Sequence, residues 1–116
     1  MKPTSISHAE HYVWGDACDG WHLLKRDDLS VIQERIPAGA GEVMHYHTSS
    51  RQFFYILEGA ASLRIEDRAF QLQTGDSLEV PPRVPHQIRN DSIRDLAILV
   101  ISMPPSHGDR VNVETA

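Results

Sequence analysis

Residues 39–59 read GAGEVMHYHTSSRQFFYILEG, and the spacing within this stretch decides the fold. His45 and His47 flank a single residue, so in a strand their side chains point to the same face, with Cα atoms roughly 6.6 Å apart. Two imidazole nitrogens about 2.1 Å from one ion can converge from that spacing. Alone the pair is weak evidence, because seven histidines among 116 residues give an His-x-His by chance roughly 0.4 times. The surrounding residues therefore decide how the pair is interpreted.

A second segment, residues 75–90, reads GDSLEVPPRVPHQIRN and follows after a short spacer. The two segments together resemble the two conserved motifs of the cupin superfamily, G-x5-H-x-H-x4-E-x6-G and G-x5-P-x-G-x2-H-x3-N. Each segment departs from its motif at one fixed position: Gln52 stands in place of the glutamate, and Arg83 in place of the second motif's internal glycine. Two motifs in the right order make the resemblance specific.

The resemblance implies an all-β fold, the double-stranded β-helix or jelly-roll cupin barrel. It also implies one divalent metal ion per chain, held inside the barrel by His45, His47, Gln52 and His86. The residue at position 90, here Asn90, usually packs or hydrogen-bonds near this site. Small cupins usually pair as homodimers, often by exchanging edge strands, so we expect a solution mass near twice 13.1 kDa.

The rest of the chain independently predicts strands. Short alternating runs are separated by turn signals every eight to twelve residues, and none keeps a helical period for three turns, which favours a barrel or sandwich. At 116 residues the chain predicts one domain, residues 1–116, with a core over about 20–103. We interpret the flanking segments, about 1–12 and 105–116, as tails or swapped arms. The C-terminal segment around His107 either closes over the barrel mouth, as in some related small cupins, or forms a solvated tail, and we favour the tail.

The two departures have different expected consequences. The prolines on either side of Arg83 are expected to make the tight turn that the motif's glycine serves. Gln52 matters more, because an amide oxygen neutralises none of the ion's charge, whereas a carboxylate neutralises one. Similar Gln-for-Glu sites occur in some cupins, including a zinc-dependent polyketide cyclase. The substitution favours zinc or nickel, with iron or manganese as further possibilities.

Strand alternation predicts the surroundings of the metal. It puts four residues on the face of the metal ligands as candidate pocket lining: Phe54, Ile56, Ile88 and Asn90. Such a pocket suits a small hydrophobic or aromatic ligand, but plain barrel packing is the explanation that we favour for these residues. Glu42 and Glu79 would be candidate bases if they point inward, but alternation does not place them.

Composition excludes several classes of partner. The formal net charge is −5, with eleven basic residues scattered among sixteen acidic ones, which argues against nucleic acid and against anionic membrane surfaces. The longest apolar run, residues 96–101, suits a buried strand and is too short for a membrane span. The single cysteine, Cys18, rules out an intramolecular disulfide and is compatible with a reducing compartment. We therefore expect a cytoplasmic protein.

The sequence supports two main hypotheses of function. The first is a metalloenzyme that acts on a small, possibly aromatic or apolar, organic molecule through an open metal position, with dioxygenase-, isomerase- or cyclase-like chemistry. The alternative is a small-molecule-binding or sensory module with a structural metal and no catalysis. A storage or scaffold barrel without metal is a third possibility. The fold itself does not choose among these reactions.

Overall fold

The computed structural model describes residues 1–113, and every regular element in that range is a β-strand. The eleven strands in chain order are β1 (Glu10–Trp14), β2 (Cys18–Lys25), β3 (Ser30–Ile36), β4 (His45–His47), β5 (Arg51–Glu58), β6 (Ala60–Ile65), β7 (Arg68–Gln73), β8 (Ser77–Val80), β9 (His86–Arg89), β10 (Leu96–Met103) and β11 (Arg110–Asn112). Residues 1–113 hold no helix with the length and apolar character needed to cross a membrane.

The strands form two antiparallel sheets that enclose one core. The larger sheet has the order β1-β2-β3-β10-β5-β8, and the smaller has the order β11-β4-β9-β6-β7. Both sheets contribute to the core: Ile56 and Ile98 come from the larger one, Leu63 and Ile88 from the smaller, and all four are fully buried. The predicted all-β, double-stranded barrel is therefore confirmed.

Alternation along β5 matches the sequence prediction. Gln52, Phe54 and Ile56 are buried, whereas Phe53 and Tyr55 on the opposite face are 38% and 37% exposed. Side chains of successive strand residues point to opposite faces, so this register fixes which residues can reach the barrel interior. The expected homodimer stays a prediction.

Both flanking segments take part in the sheets. β1 pairs with β2 in the register Tyr12↔Gly20, and β11 pairs with β4 in the register Val111↔Tyr46. Strand pairing within the described residues therefore extends from Glu10 to Asn112. The sequence did not indicate β11 because its three residues are all exposed and show no apolar alternation. Residues 114–116 of the predicted C-terminal arm lie outside the described residues.

The motif glycines stand where the backbone needs a left-handed conformation. Gly39, Gly59 and Gly75 have φ values of +80°, +100° and +90°. Arg83, in a motif glycine's place, also has a positive φ of 70°, so the expectation that the flanking prolines replace this conformation is wrong. The turn is retained because Arg83 N–H donates to the carbonyl of His47 at 2.7 Å.

Arg83→Gly should therefore stabilise the protein. A side chain in the left-handed region costs about 1–2 kcal/mol, and glycine avoids this cost. Glycine's greater freedom in the unfolded chain offsets part of the resulting gain in stability. We expect the free energy of unfolding in urea to rise by about 1 kcal/mol. Arg83→Ala keeps the Cβ and is the control; an equal gain in that variant would contradict the backbone explanation.

Candidate metal centre

Three histidines converge inside the barrel. His45 on β4 lies directly opposite His86 on β9, and His47 follows two residues later on the same face of β4. Their ring centroids are 4.4 Å apart for His45–His86, 5.0 Å for His45–His47 and 5.7 Å for His47–His86. All three residues are buried, and each offers a ring nitrogen within 4.8 Å of the others. That spacing lets one ion contact all three.

The outer nitrogen of each ring is held by a backbone carbonyl. The three contacts are His45 Nδ1 to Val43 O at 2.8 Å, His86 Nδ1 to Val84 O at 2.9 Å and His47 Nδ1 to Asp109 O at 3.2 Å. A carbonyl only accepts hydrogen bonds, so each Nδ1 carries the proton and each Nε2 is left as a lone-pair donor to a metal. This is how metal-ligating histidines are usually oriented.

Burial keeps these imidazoles neutral. Loss of water around the rings lowers the pKa of His45 to about 3 and that of His86 to about 4. The pKa of His47 is lowered for the same reason. A neutral imidazole is the form that binds a metal ion, so the site is in its ligating state at neutral pH.

Gln52 completes the set from the other sheet. Its Nε2 donates to Ser102 Oγ at 3.0 Å, which turns Oε1 toward His86 Nε2 at 3.1 Å. With the proton of His86 on Nδ1, Oε1 and Nε2 are two buried acceptors facing each other. A cation bound by both removes that repulsion, so the residues present fit a metal ion. Three imidazoles and one amide oxygen suit a divalent transition metal.

The predicted pocket lining divides into two groups. Phe54 lies on the wall of the cavity beside the histidines. Ile56 and Ile88 are fully buried in the core instead, because each lies two residues further along its strand, away from the cavity. Asn90 lies beyond them and is also fully buried. Its side chain donates to the carbonyls of Ile36 and Arg94, so it stabilises a turn.

The cavity that contains the ligands has a volume of about 240 Å³. Its apolar wall consists of Trp14, Ile32, Phe54 and Val100, and its remaining wall of Tyr12, Glu34, Glu42, Ser106, His107, Gly108 and Arg110 beside the ligands His45, His47 and Gln52. The cavity is therefore half polar, which the sequence prediction of an apolar pocket did not include. Most of the residues that sequence analysis missed come from β1, β3 and the C-terminal segment.

Two carboxyl groups face this cavity. Glu42 Oε1 accepts the backbone N–H of Ile88 at 3.2 Å, and its Oε2 lies 3.8 Å from His45 Nε2. Burial raises the pKa of Glu42 to about 7. Burial, together with the nearby charge of Glu42, raises the pKa of Glu34 on β3 to about 8. Sequence analysis could have found Glu34 from the alternation along β3, which puts Glu34 between Ile32 and Ile36 on the inner face.

The C-terminal segment is anchored to the loop after β4. The carboxylate of Asp109 accepts the backbone N–H groups of Thr48, Ser49 and Ser50, each at 2.9 Å. These bonds lower the pKa of Asp109 below its ordinary value, against the opposing effect of burial. The structure therefore differs from the expected solvated tail, because part of the cavity wall consists of Ser106, His107, Gly108 and Arg110.

Comparison with known proteins agrees with this architecture. The model of the cupin domain family matches residues 32–102, which include all four candidate ligands. The chain is a cupin. An uncharacterised protein of Methanocaldococcus jannaschii is 36% identical over 89 residues, covering 76% of this cupin and 71% of the relative.

Two further relatives have named activities. Quercetin 2,3-dioxygenase of Bacillus subtilis is 37% identical over 62 residues, covering 53% of this cupin and 18% of the dioxygenase. The structure of the polyketide cyclase RemF from Streptomyces resistomycificus superposes with a TM-score of 0.84 at 17% identity, covering 100% of this cupin and 87% of the cyclase. At that identity the likeness to RemF demonstrates the shared fold alone.

The raised pKa of Glu34 predicts a pH-dependent stability for the metal-free protein. Its pKa rises from 4.5 to about 8 on folding, so near pH 7 the folded chain holds a proton that the unfolded chain has released. Stability should therefore fall as the pH rises from 7 to 9. In the chelated protein we expect the melting temperature to fall across this range, and Glu34→Gln to flatten the dependence.

Glu79→Gln is the matched control, since Glu79 is an exposed carboxyl on β8. It should leave the pH dependence as in the wild type. An unchanged slope in Glu34→Gln would contradict the assignment of a buried proton to Glu34.

Proposed function

We propose that this cupin is a metalloenzyme that isomerises or cyclises a small organic molecule at one divalent ion held by His45, His47, His86 and Gln52. The observation that carries the proposal is the meeting of two kinds of group in one cavity. Imidazole nitrogens with free lone pairs lie beside carboxyl groups that hold protons near neutral pH. That combination suits proton transfer at a carbon next to a carbonyl group that a bound ion would polarise.

The chain's own residues supply the proton chemistry. When bound, the ion would supply a Lewis acid that polarises a carbonyl oxygen of the substrate. Glu42 is held in place by the N–H of Ile88, so Oε2 is the atom available to exchange a proton beside His45. Glu34 adds a second carboxyl on β3 that can relay or hold that proton. A pKa near the working pH is what a general acid or base needs.

The cavity supports a small substrate with an apolar or aromatic part. Its volume is about 240 Å³, and Trp14 and Phe54 contribute aromatic rings to one wall. The anchored C-terminal segment forms part of the remaining wall. The remaining polar wall, with Arg110, favours a substrate that also carries oxygen atoms.

The chemistry of Gln52 supports zinc or nickel as the native ion. Its amide oxygen leaves the ion's charge undiminished by the protein, because the three imidazoles are also neutral. A carboxylate ligand, as in the family motif, would favour iron or manganese by comparison. The likeness to quercetin 2,3-dioxygenase over 62 residues keeps oxygenation as the second candidate reaction.

Gln52→Glu should change the metal preference. A negative ligand in place of a neutral one increases the attraction for the ion, so we expect tighter binding and a shift toward iron and manganese. The measurement is elemental analysis of protein expressed without a metal-affinity tag. Gln73→Glu, at an exposed amide on β7 outside the ligand set, is the control. Metal content in Gln52→Glu identical to the wild type would exclude Gln52 as a ligand.

Glu42→Gln should abolish catalysis while retaining the metal. We expect deuterium exchange next to the carbonyl of a small aromatic ketone, such as phenylacetone in D2O, to slow by about 100-fold relative to the wild type. NMR measures the exchange, and elemental analysis checks that the variant keeps its ion. Glu79→Gln should exchange at the wild-type rate. If the protein consumes oxygen with such ketones at a rate that Glu42→Gln does not change, proton transfer is contradicted. That result would favour a dioxygenase reaction.

A further inference from the structure

Arg110 is the one lysine or arginine among the described residues that lines the metal cavity. It begins β11, where its Cα is paired with that of His47 on β4. Directly opposite residues of an antiparallel pair put their side chains on the same face of the sheet. Because His47 points into the barrel, Arg110 also extends from the inner face. Arg110 is exposed as well, so it stands at the mouth of the cavity.

The charge of Arg110 acts on the groups of the site. Burial is the main cause of the raised pKa of Glu34 and of Glu42, and the positive charge of Arg110 opposes it at both carboxyl groups. Burial lowers the pKa of the three histidine ligands, and the charge of Arg110 lowers each of them further. An effect on five separate groups places the guanidinium itself, and not only the backbone, close to the cavity.

The guanidinium of Arg110 is oriented but not neutralised within residues 1–113. Its Nε donates to Asn112 Oδ1 at 2.8 Å, and no carboxylate in that range forms a salt bridge with it. The carboxylate of the adjacent Asp109 is bound to three backbone N–H groups of the loop after β4. An arginine has five N–H donors, so the Nη atoms can serve a ligand.

The two sheets give the cavity two chemically different sides. The apolar residues Trp14, Ile32, Phe54 and Val100 all come from strands of the larger sheet. Arg110 comes from β11 of the smaller sheet, together with the ligands on β4. An occupant that contacts both sides therefore has an apolar part and a part that pairs with a cation.

The formal charges of the cavity favour an anion. A divalent ion at the ligand set would add two positive charges to that of Arg110, and the four ligands are neutral. Glu34 and Glu42 are the acidic residues of the wall, and they contribute at most two negative charges. Positive charges therefore exceed negative ones whatever the protonation of these two carboxyl groups. A cavity with an excess of one sign of charge attracts ligands of the opposite sign.

We propose that the substrate of this cavity carries a carboxylate, which the guanidinium of Arg110 binds through two N–H···O hydrogen bonds. The apolar part of the substrate lies against the wall that contains Trp14 and Phe54. A single guanidinium matches the two oxygens of one carboxylate, whereas a phosphate is usually held by several cations or backbone N–H groups. The inference rests on the proposed function, because it takes the occupant of the cavity to be the substrate.

The test is an NMR titration of the full-length chain, labelled with nitrogen-15, after addition of zinc. The probes are phenylacetate and its neutral counterpart phenylacetamide, and phenyl phosphate is the competing anion. We expect phenylacetate to bind about tenfold more tightly than phenylacetamide, because its hydrogen bonds to the guanidinium are charge-assisted. In the wild type, saturation with phenylacetate should shift the Nε–H signal of Arg110 and the indole N–H signal of Trp14.

Arg110→Gln separates the guanidinium from the ion, which also attracts a carboxylate. The variant keeps an amide that can reach Asn112 and loses the charge, so the preference for phenylacetate should fall about tenfold. Elemental analysis checks that the variant keeps its zinc. Arg64→Gln is the matched control, since Arg64 is an exposed arginine on β6 whose Nε also bonds to a residue two positions later. It should bind all three probes as the wild type does.

Three results would overturn the proposal. The first is a wild type that binds phenylacetate no more tightly than phenylacetamide, or whose Arg110 signal does not move. The second is a preference for phenylacetate that Arg110→Gln leaves unchanged, or that Arg64→Gln weakens equally. The third is tighter binding of phenyl phosphate than of phenylacetate.

The deuterium-exchange assay separates this proposal from the proposed function, because phenylacetone has no carboxylate. If exchange is independent of Glu42 while phenylacetate binding depends on Arg110, the reaction is wrong and the carboxylate site is supported. If exchange depends on Glu42 while phenylacetate binding is independent of Arg110, the reaction is supported and the carboxylate site is wrong.

Discussion

The closure of the barrel between β4 and β9 is the constraint on which the rest of the site depends. It brings His45 opposite His86 and buries both rings. Because burying a charged ring costs free energy, both imidazoles are neutral. Backbone carbonyls then fix the proton on Nδ1 of each ring. The Nε2 lone pairs of the buried rings repel one another unless a cation lies between them. The amide oxygen of Gln52, whose side chain is oriented by Ser102, belongs to the same set of acceptors. The fold thus creates a set of converging donors that could hold a cation.

The flanking segments supply part of the wall of the cavity beside this ligand set. β1 brings Tyr12 and Trp14 to the cavity wall. The segment before β11 brings residues 106–108, and β11 itself begins with Arg110, which also lines the cavity. One carboxylate, Asp109, orders this C-terminal segment by capping three consecutive backbone N–H groups, while its backbone carbonyl receives the Nδ1 proton of His47. The same residue therefore orients a ligand and closes the cavity, so ordering of the C-terminal segment and metal binding are expected to be linked.

The sequence predicted the parts of this structure that depend on local spacing. The two motifs predicted the fold. The four side chains that they single out, His45, His47, Gln52 and His86, lie close together. Alternation put Phe54 on the inner face, where it lines the cavity. Alternation predicts the face on which a residue lies but not its depth along the barrel axis. It therefore did not separate the cavity wall from the core, which holds Ile56 and Ile88, or from the turn that Asn90 stabilises. Strand pairing of the flanking segments depends on contacts distant in sequence, which is why the contributions of β1 and β11 were missed. Arg83 shows a further limit. Its replacement of the motif's glycine suggested that the neighbouring prolines make the turn, whereas Arg83 itself has the left-handed backbone conformation.

The central claim is that three imidazoles and one amide oxygen share one ion. X-ray absorption spectroscopy at the metal edge, on protein expressed without a metal-affinity tag, tests it most directly. The account predicts one divalent ion per chain, with multiple-scattering features of three imidazoles and a first shell of nitrogen and oxygen at about 2.0–2.2 Å. A spectrum with fewer than three imidazoles, or one that stays the same when His45 and His86 are replaced by alanine, would contradict it.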